Sequence, residues 1–292
     1  LFLIYLRSLQ YIKMSDIKIG FVTCVQIGLS CMDTIYKSGG SLSMAITLND
    51  DQAVKKSGRV YLDKFCKSHG IPLVKSKNVN DQVVIDAIKS FELDWLFIIG
   101  WSQIALPVLL KAPSKGVLGA HPTLLPIGRG RAAIPWAILK DLKETGVTLF
   151  KLDNGVDTGP IAIQKIIEIK SGCTAEDLYQ AVDIKHIEII KEAIPLLLND
   201  DLLFQSQNDD DATIWSGRSP EDGEIDLQGS VHEAERLIRA VTRPYPGAFY
   251  FNQSGGKEII WSAFVSDTLS NHESKHIKFN DGFLILNEVE AC

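Results

Sequence analysis

His121 and Asp157 are the residues whose types and settings point to chemistry. His121 closes the apolar run Gly116–Ala120, and Asp157 lies 36 residues further on, within Leu152-Asp153-Asn154-Gly155-Val156-Asp157-Thr158-Gly159. An imidazole beside a carboxylate is a general acid–base pair. The negative charge favours the protonated ring, which donates to a developing oxyanion, and the two groups together can pass protons. Each residue alone also has a plainer use. A His at a strand end is often held by structural hydrogen bonds, and an Asp in a Gly-rich turn bonds nearby backbone amides. Their occurrence together, with the segments that flank them, makes chemistry the better reading.

Those segments predict an open α/β sheet. Ile17–Val22, Leu42–Leu48, Ile71–Val74 and Trp95–Ile99 are short apolar runs bounded by Gly, Asp or Asn, the pattern of buried strands. Between them, Leu29–Lys37, Gly58–Ser68 and Asp81–Phe91 space apolar residues by three and four, as helices do. This alternation implies a Rossmann-like, mostly parallel sheet with helices on both faces and ligands at the carboxyl ends of its strands. A further helix over Ile104–Leu110, a strand over Gly116–Ala120, a helix over Ala132–Lys140, and strands over Gly146–Lys151 and Pro160–Ile169 complete it. On that plan His121 sits at a carboxyl edge and Asp157 in a loop on the same part of the sheet.

Composition narrows the function classes. The 292 residues carry 30 Lys+Arg and 36 Asp+Glu, a formal charge of −6, with 46% hydrophobic residues, as in an ordinary globular protein. The charge is uneven: residues 1–200 sum to +3 and residues 201–292 to −9. Five cysteines, without CxxC or zinc-ligand spacing, fit a reduced, cytoplasmic chain with no metal. The first strand-to-helix turn, Thr23–Gly28, lacks GxGxxG, and the chain holds no Walker A, HExxH or GxSxG sequence. Dinucleotide enzymes, zinc proteases and serine hydrolases lose their simplest support. The opening run Leu1–Leu6 is too short to span a bilayer, and its basic residues follow it, so residues 1–13 read as a non-essential extension.

His121-Pro122-Thr123-Leu124-Leu125-Pro126, followed by Arg129-Gly130-Arg131 and by Asp157-Thr158-Gly159, resembles the formyltetrahydrofolate-dependent formyltransferases. That family includes the methionyl-tRNA, glycinamide ribonucleotide and sugar N-formyltransferases. The likeness continues through Arg218–Gly223 and Ile238–Ala248, which look like the start of the smaller C-terminal domain of the sugar and tRNA branches. It implies a catalytic domain over residues 14–204, a linker over 205–217 and a β-rich, open-barrel-like domain over 218–292. It also implies 10-formyltetrahydrofolate as co-substrate, an amine as acceptor, and His121 and Asp157 as the pair that stabilises the oxyanion and moves protons. The pterin would lie between Phe97-Ile98-Ile99-Gly100 and Asp153-Asn154-Gly155-Val156. There Gly100 and Gly155 either let backbone approach the ligand or simply make turns.

One position departs from the family. Gly119 stands where the family usually has Asn, two residues before the His, so one amide donor is missing. Gln103, or Ser102 beside it, could replace that donor; equally, Gln103 could cap the following helix. Thr123, Arg129 and Arg131 are candidates for the acceptor side, since Arg suits bidentate binding of a diphosphate, although a loop position or a structural ion pair would suit both arginines too.

Beyond the catalytic segment, Thr174-Ala175-Glu176-Asp177 opens a helix running to about Leu197, with Pro195 as a kink or terminator. Ser230 and Glu233 form a capping box for a helix to Arg239, and four short strands follow over Ala248–Asn252, Glu258–Val265, Ser274–Phe279 and Phe283–Glu288. In sugar-modifying relatives this region often helps to form a homodimer. Its −9 charge opposes the phosphate contacts a tRNA enzyme needs. The expected acceptor is therefore a nucleotide-linked amino deoxysugar, with methionyl-tRNA or a non-catalytic folate-binding homologue as the other readings.

Overall fold

A computed structural model describes residues 17–53, 58–252, 254–269 and 275–291. The extension 1–13 lies outside the described residues, as does Ser274 at the start of one expected strand. In chain order the first elements are β1 (Ile19–Val22), α1 (Gln26–Lys37), β2 (Met44–Leu48), α2 (Asp50–Ala53), α3 (Asp63–His69), β3 (Leu73–Ser76), α4 (Gln82–Ser90) and β4 (Trp95–Ile98). They are followed by α5 (Pro107–Leu110), β5 (Gly116–His121), β6 (Arg129–Gly130), α6 (Ala133–Leu139), β7 (Glu144–Lys151), β8 (Ile161–Glu168) and α7 (Ala175–Leu198). The rest are β9 (Ile214–Trp215), α8 (Val231–Val241), β10 (Ala248–Phe251), β11 (Lys257–Ser266), β12 (His276–Phe279) and β13 (Gly282–Ala291).

Seven strands form the main sheet in the order β3-β2-β1-β4-β5-β7-β8. The five strands from β3 to β5 run parallel, while β7 is antiparallel to both β5 and β8. The mostly parallel α/β expectation holds. Side-chain alternation explains the two-sided burial: Ile19 and Phe21 of β1, with Trp95 and Phe97 of β4, enter the core under α1, α6 and α7, whereas Val22, Leu96 and Ile98 enter a second core under α4 and α5. Phe21 and Phe97 stack across the two strands at 5.8 Å between ring centroids. Because the chain moves from β1 to β2 and β3 on one side and returns to β4 on the other, the order reverses between β1 and β4. Their carboxyl ends thus flank the crevice where such sheets bind ligands.

Three expected helices need correction. The Gly58–Ser68 helix begins only at Asp63: Gly58 has φ +67°, and Arg59 is extended and bridged to Val25. The Ile104–Leu110 helix shrinks to Pro107–Leu110, since proline favours the first helical turn and its predecessor is extended. Pro195 lies inside its helix and does not end it at once, for α7 runs on to Leu198. The expected cap of α7 forms in full, with Thr174 and Asp177 in a reciprocal capping box. At α8, Ser230 Oγ accepts from His232 N–H, while Asp281, from the turn before β13, takes the Val231 N–H and the Ser230 hydroxyl.

The C-terminal module is an open antiparallel sheet, β10-β11-β13-β12, with a bulge in β11 between Ile260 and Ala263. Helix α8 covers it and also packs on α6 and α7, so Val231, Ala234 and Ile238 belong to the same core as Ile134, Ile138 and Ile190. Among the described residues no helix is long and apolar enough to cross a membrane.

Candidate active site

Strand β5 is the innermost support of the site. It pairs with β4 on one side and β7 on the other, so His121, its last residue, is set opposite Thr148 of β7. The imidazole is largely buried, and each ring nitrogen faces an oxygen. Nε2 lies 2.8 Å from the Gly128 carbonyl, and Nδ1 lies 3.6 Å from Asp157 Oδ2, an ion-pair distance and too long for a hydrogen bond. The ring thus has one hydrogen-bond partner, the Gly128 carbonyl, and one carboxylate beside its other nitrogen. Asp157 Oδ2 also accepts from the Gly130 N–H at 2.9 Å. Asp157 itself has φ +55°, a left-handed conformation that costs a non-glycine residue about 1–3 kcal/mol and persists only where its surroundings enforce it.

The loop between His121 and Gly128 is fastened from below. Thr148 Oγ1 donates to the Thr123 carbonyl at 2.7 Å and accepts from the Leu125 N–H, while Gln164 Nε2 donates to the Leu125 carbonyl and to Thr148 Oγ1. Thr123 is 1% exposed and its hydroxyl is buried, with its methyl group beside Gly128.

Arg129 and Arg131 separate. The Arg129 guanidinium is 8% exposed and bonds the Gln207 side-chain oxygen through Nε (3.1 Å) and Nη2 (2.7 Å), with Nη2 also 2.7 Å from Asp209 Oδ1. Of its two expected uses, the structural ion pair is the one built. Arg131 is exposed, and its guanidinium runs beside Gly217. Gln103 is engaged on the loop before α4. Its side-chain oxygen accepts from Val79 N–H (2.8 Å) and Trp101 Nε1 (3.3 Å), and its Nε2 donates to the Lys77 carbonyl (2.8 Å), so the amide pins the loop between β3 and α4.

At Gly119 there is little room for a side chain. A Cβ built there would lie 2.6 Å from Leu152 Cδ2, the far end of a flexible side chain. Gly119→Asn is therefore expected to fold but to lose about 1–3 kcal/mol by overpacking, and Leu152→Ala in the same chain is expected to restore part of it. Urea unfolding of the single and double variants checks this; equal stability of Gly119→Asn and the unaltered protein would contradict it.

The residues expected at the co-substrate edge divide by exposure. Phe97, Ile98 and Ile99 are buried within β4 and just beyond it, whereas Gly100 and the loop Asp153–Val156 are exposed. Gly100 has φ +67°, and a Cβ there would meet Val25 Cγ2 at 2.2 Å, so glycine serves both the turn and the approach of the β1–α1 segment. Asp153 Oδ1 accepts from the Gly155 N–H and the Thr158 hydroxyl, which closes the loop on itself. The loop leaves the carboxyl end of β7, which runs antiparallel to β5, so that the Leu152 N–H bonds the Val117 carbonyl near the start of β5 and the chain turns back to bring Asp157 to His121.

Sequence reasoning missed three contributors. Gln207 and Thr213 come from the stretch read as a linker, and His186 from α7, where it is 3% exposed and its Nδ1 lies 2.8 Å from the Val182 carbonyl. A polar, aperiodic stretch gives no signal of contact, and a lone His on a helix reads as core. Among the described residues no three His, Cys, Asp or Glu side chains are grouped to hold a metal ion.

Two family models match the chain: formyl transferase over residues 43–194, and formyl transferase, C-terminal domain, over residues 218–289. A bifunctional polymyxin resistance protein, ArnA, of Wigglesworthia glossinidia brevipalpis is 32% identical over 240 residues, which is 82% of this chain and 36% of that protein. The chain thus spans about a third of the length of that relative. Among solved structures, the N-formyltransferase from Helicobacter canadensis in complex with folinic acid and dTDP-3-aminofucose matches with TM-score 0.71 at 21% identity, over 94% of this chain and all of that one. The methionyl-tRNA formyltransferase from Clostridium thermocellum matches with TM-score 0.60 at 20% identity, over 94% of this chain and 99% of that one. At these identities the structural likeness speaks for the fold.

Proposed function

Since the chain belongs to the formyltransferase family, we propose that it moves a formyl group from 10-formyltetrahydrofolate to the amine of a nucleotide-linked amino deoxysugar. The observation that carries the reading is the His121–Asp157 pair, 3.6 Å apart at the carboxyl edge of the sheet and fixed by the Gly128 carbonyl and the Gly130 N–H. When bound, the folate supplies an activated formyl carbon. Everything else is the work of this chain. The exposed Gly100 at the end of its segment and the exposed loop Asp153–Val156 are the backbone edges assigned to the flat pterin ring. His121 donates to the formyl oxygen as negative charge grows there, and Asp157 holds the ring oriented and compensates its charge. As the amine bonds to the formyl carbon, the bond from that carbon to the folate nitrogen breaks, and the proton that the amine loses is passed by the same pair to the departing nitrogen.

For the acceptor, the sugar reading draws on the Helicobacter canadensis relative, which carries dTDP-3-aminofucose, and on the −9 charge of residues 201–292. A tRNA backbone would meet that surface with repulsion. The experiment is to mix the protein with 10-formyltetrahydrofolate and a panel of UDP- and dTDP-linked 3-amino and 4-amino sugars, and to follow the gain of one formyl group by mass. Formylation of at least one sugar is expected. Failure with every sugar, together with formylation of charged initiator tRNA, overturns the acceptor. Folate binding without turnover would instead identify a non-catalytic homologue, the reading Gly119 favours.

A further inference from the structure

The stretch between the two domains is built into the site at four points. Gln205 pairs with Ile161 through both backbone groups, at 2.7 and 2.8 Å. Gln207 Nε2 donates to the carbonyls of Asp157 (2.8 Å) and Gly159 (2.7 Å), while its oxygen accepts twice from Arg129. Thr213 Oγ1 accepts from the Gly128 N–H at 2.8 Å. Strand β9 pairs with β6, so that Gly130 is held against Trp215.

Three of the four anchors lead to a catalytic group. The Gly128 carbonyl holds His121 Nε2, and the Gly130 N–H holds the Asp157 carboxylate; both amides lie on the strip fastened by Thr213 and β9. The backbone of Asp157, in its left-handed conformation, is held by Gln207. The Gln207 amide has two N–H donors and one oxygen with two lone pairs, and all four are used. Its orientation is therefore fixed: the oxygen must face a buried guanidinium, and the nitrogen must face two carbonyls. Asp209 in turn neutralises Arg129.

We propose that Gln207, braced by Arg129, is a positioning residue that holds Asp157 in register with His121, so that the interdomain segment sets the geometry of formyl transfer. The proposal rests on the functional reading above. Gln207→Met, close in volume and without the amide, tests it in the full-length chain. The expected result is a fall in kcat of about 10²-fold with KM for 10-formyltetrahydrofolate little changed, since a displacement near 1 Å at a reacting group costs about that much. The 15N resonances of the His121 ring are expected to move with it. Gln207→Asn, which keeps the amide on a shorter stem, is expected to fall between the two. Wild-type kcat and unmoved His121 resonances in folded Gln207→Met would overturn the proposal. Should that variant not fold, Thr213→Val loosens the Gly128 anchor, and unmoved His121 resonances there would overturn it as well. Movement of the resonances in a protein that formylates no acceptor would uphold the brace and discard the formyl-transfer reading.

Discussion

Asp157→Asn is expected to lower formyl transfer by roughly 10²–10³-fold, about 3–4 kcal/mol of transition-state stabilisation, in a protein that remains folded. The substitution is chosen because it changes so little else. Asparagine is nearly the same size, its side-chain oxygen can still accept from the Gly130 N–H, and its backbone can keep the left-handed conformation that Asp157 adopts at φ +55°. What disappears is the negative charge 3.6 Å from His121 Nδ1, and with it the partner that compensates a positive ring. His121→Ala is expected to lose as much activity and somewhat more stability, because it also leaves the Gly128 carbonyl without its 2.8 Å partner. The double variant should be no worse than the weaker single one, since the two groups act as a unit. Single-turnover rates with thermal unfolding alongside measure all three. Turnover of Asp157→Asn within tenfold of the unaltered protein would remove Asp157 from the mechanism.

The sequence shows some parts of this arrangement more readily than others, for physical reasons. Strands buried on both faces leave continuous apolar runs, so Ile19–Val22, Met44–Leu48 and Trp95–Ile98 were legible, and with them the carboxyl edge that carries His121. Thr174 and Asp177 announced the start of α7 because a capping box is a local device with fixed spacing. Gln207 had no such mark. Its four hydrogen bonds reach residues 48 to 78 positions away, and nothing in Gln205–Asp211 encodes partners at that range. Gln103 is the opposite case: its place after β4 suited a donor to the site, and the structure engages its amide with backbone groups of Lys77 and Val79, which no local pattern announces. Arg129 had two open uses, and only the three-dimensional position of Asp209 and Gln207 chose between them.

His186 yields the second large effect, one of acid stability. It is buried on α7, and burial pushes its ring down to about 4, with the Val182 carbonyl acting against the shift and the neighbouring His121 ring in its favour. A His in the unfolded chain titrates near 6.5. Above pH 6.5 both states are neutral at this residue, and the native state bears no penalty. As pH falls from 6.5 towards 4, the unfolded chain takes up a proton that the native state refuses, so stability is lost across that window. Between pH 7.5 and 4.5 the loss from this one residue is about 2–3 kcal/mol, a large share of an ordinary domain's 5–15 kcal/mol. His186→Leu, similar in size and unable to ionise, should remove this part of the pH dependence and leave the dependence due to other groups. Urea unfolding of both proteins at steps from pH 7.5 to 4.5 gives the difference directly, and parallel curves would show that His186 is not its source. The same refusal has a consequence for the site. With His186 mostly neutral down to about pH 4.5, a positive charge on His121 meets no second imidazolium from α7.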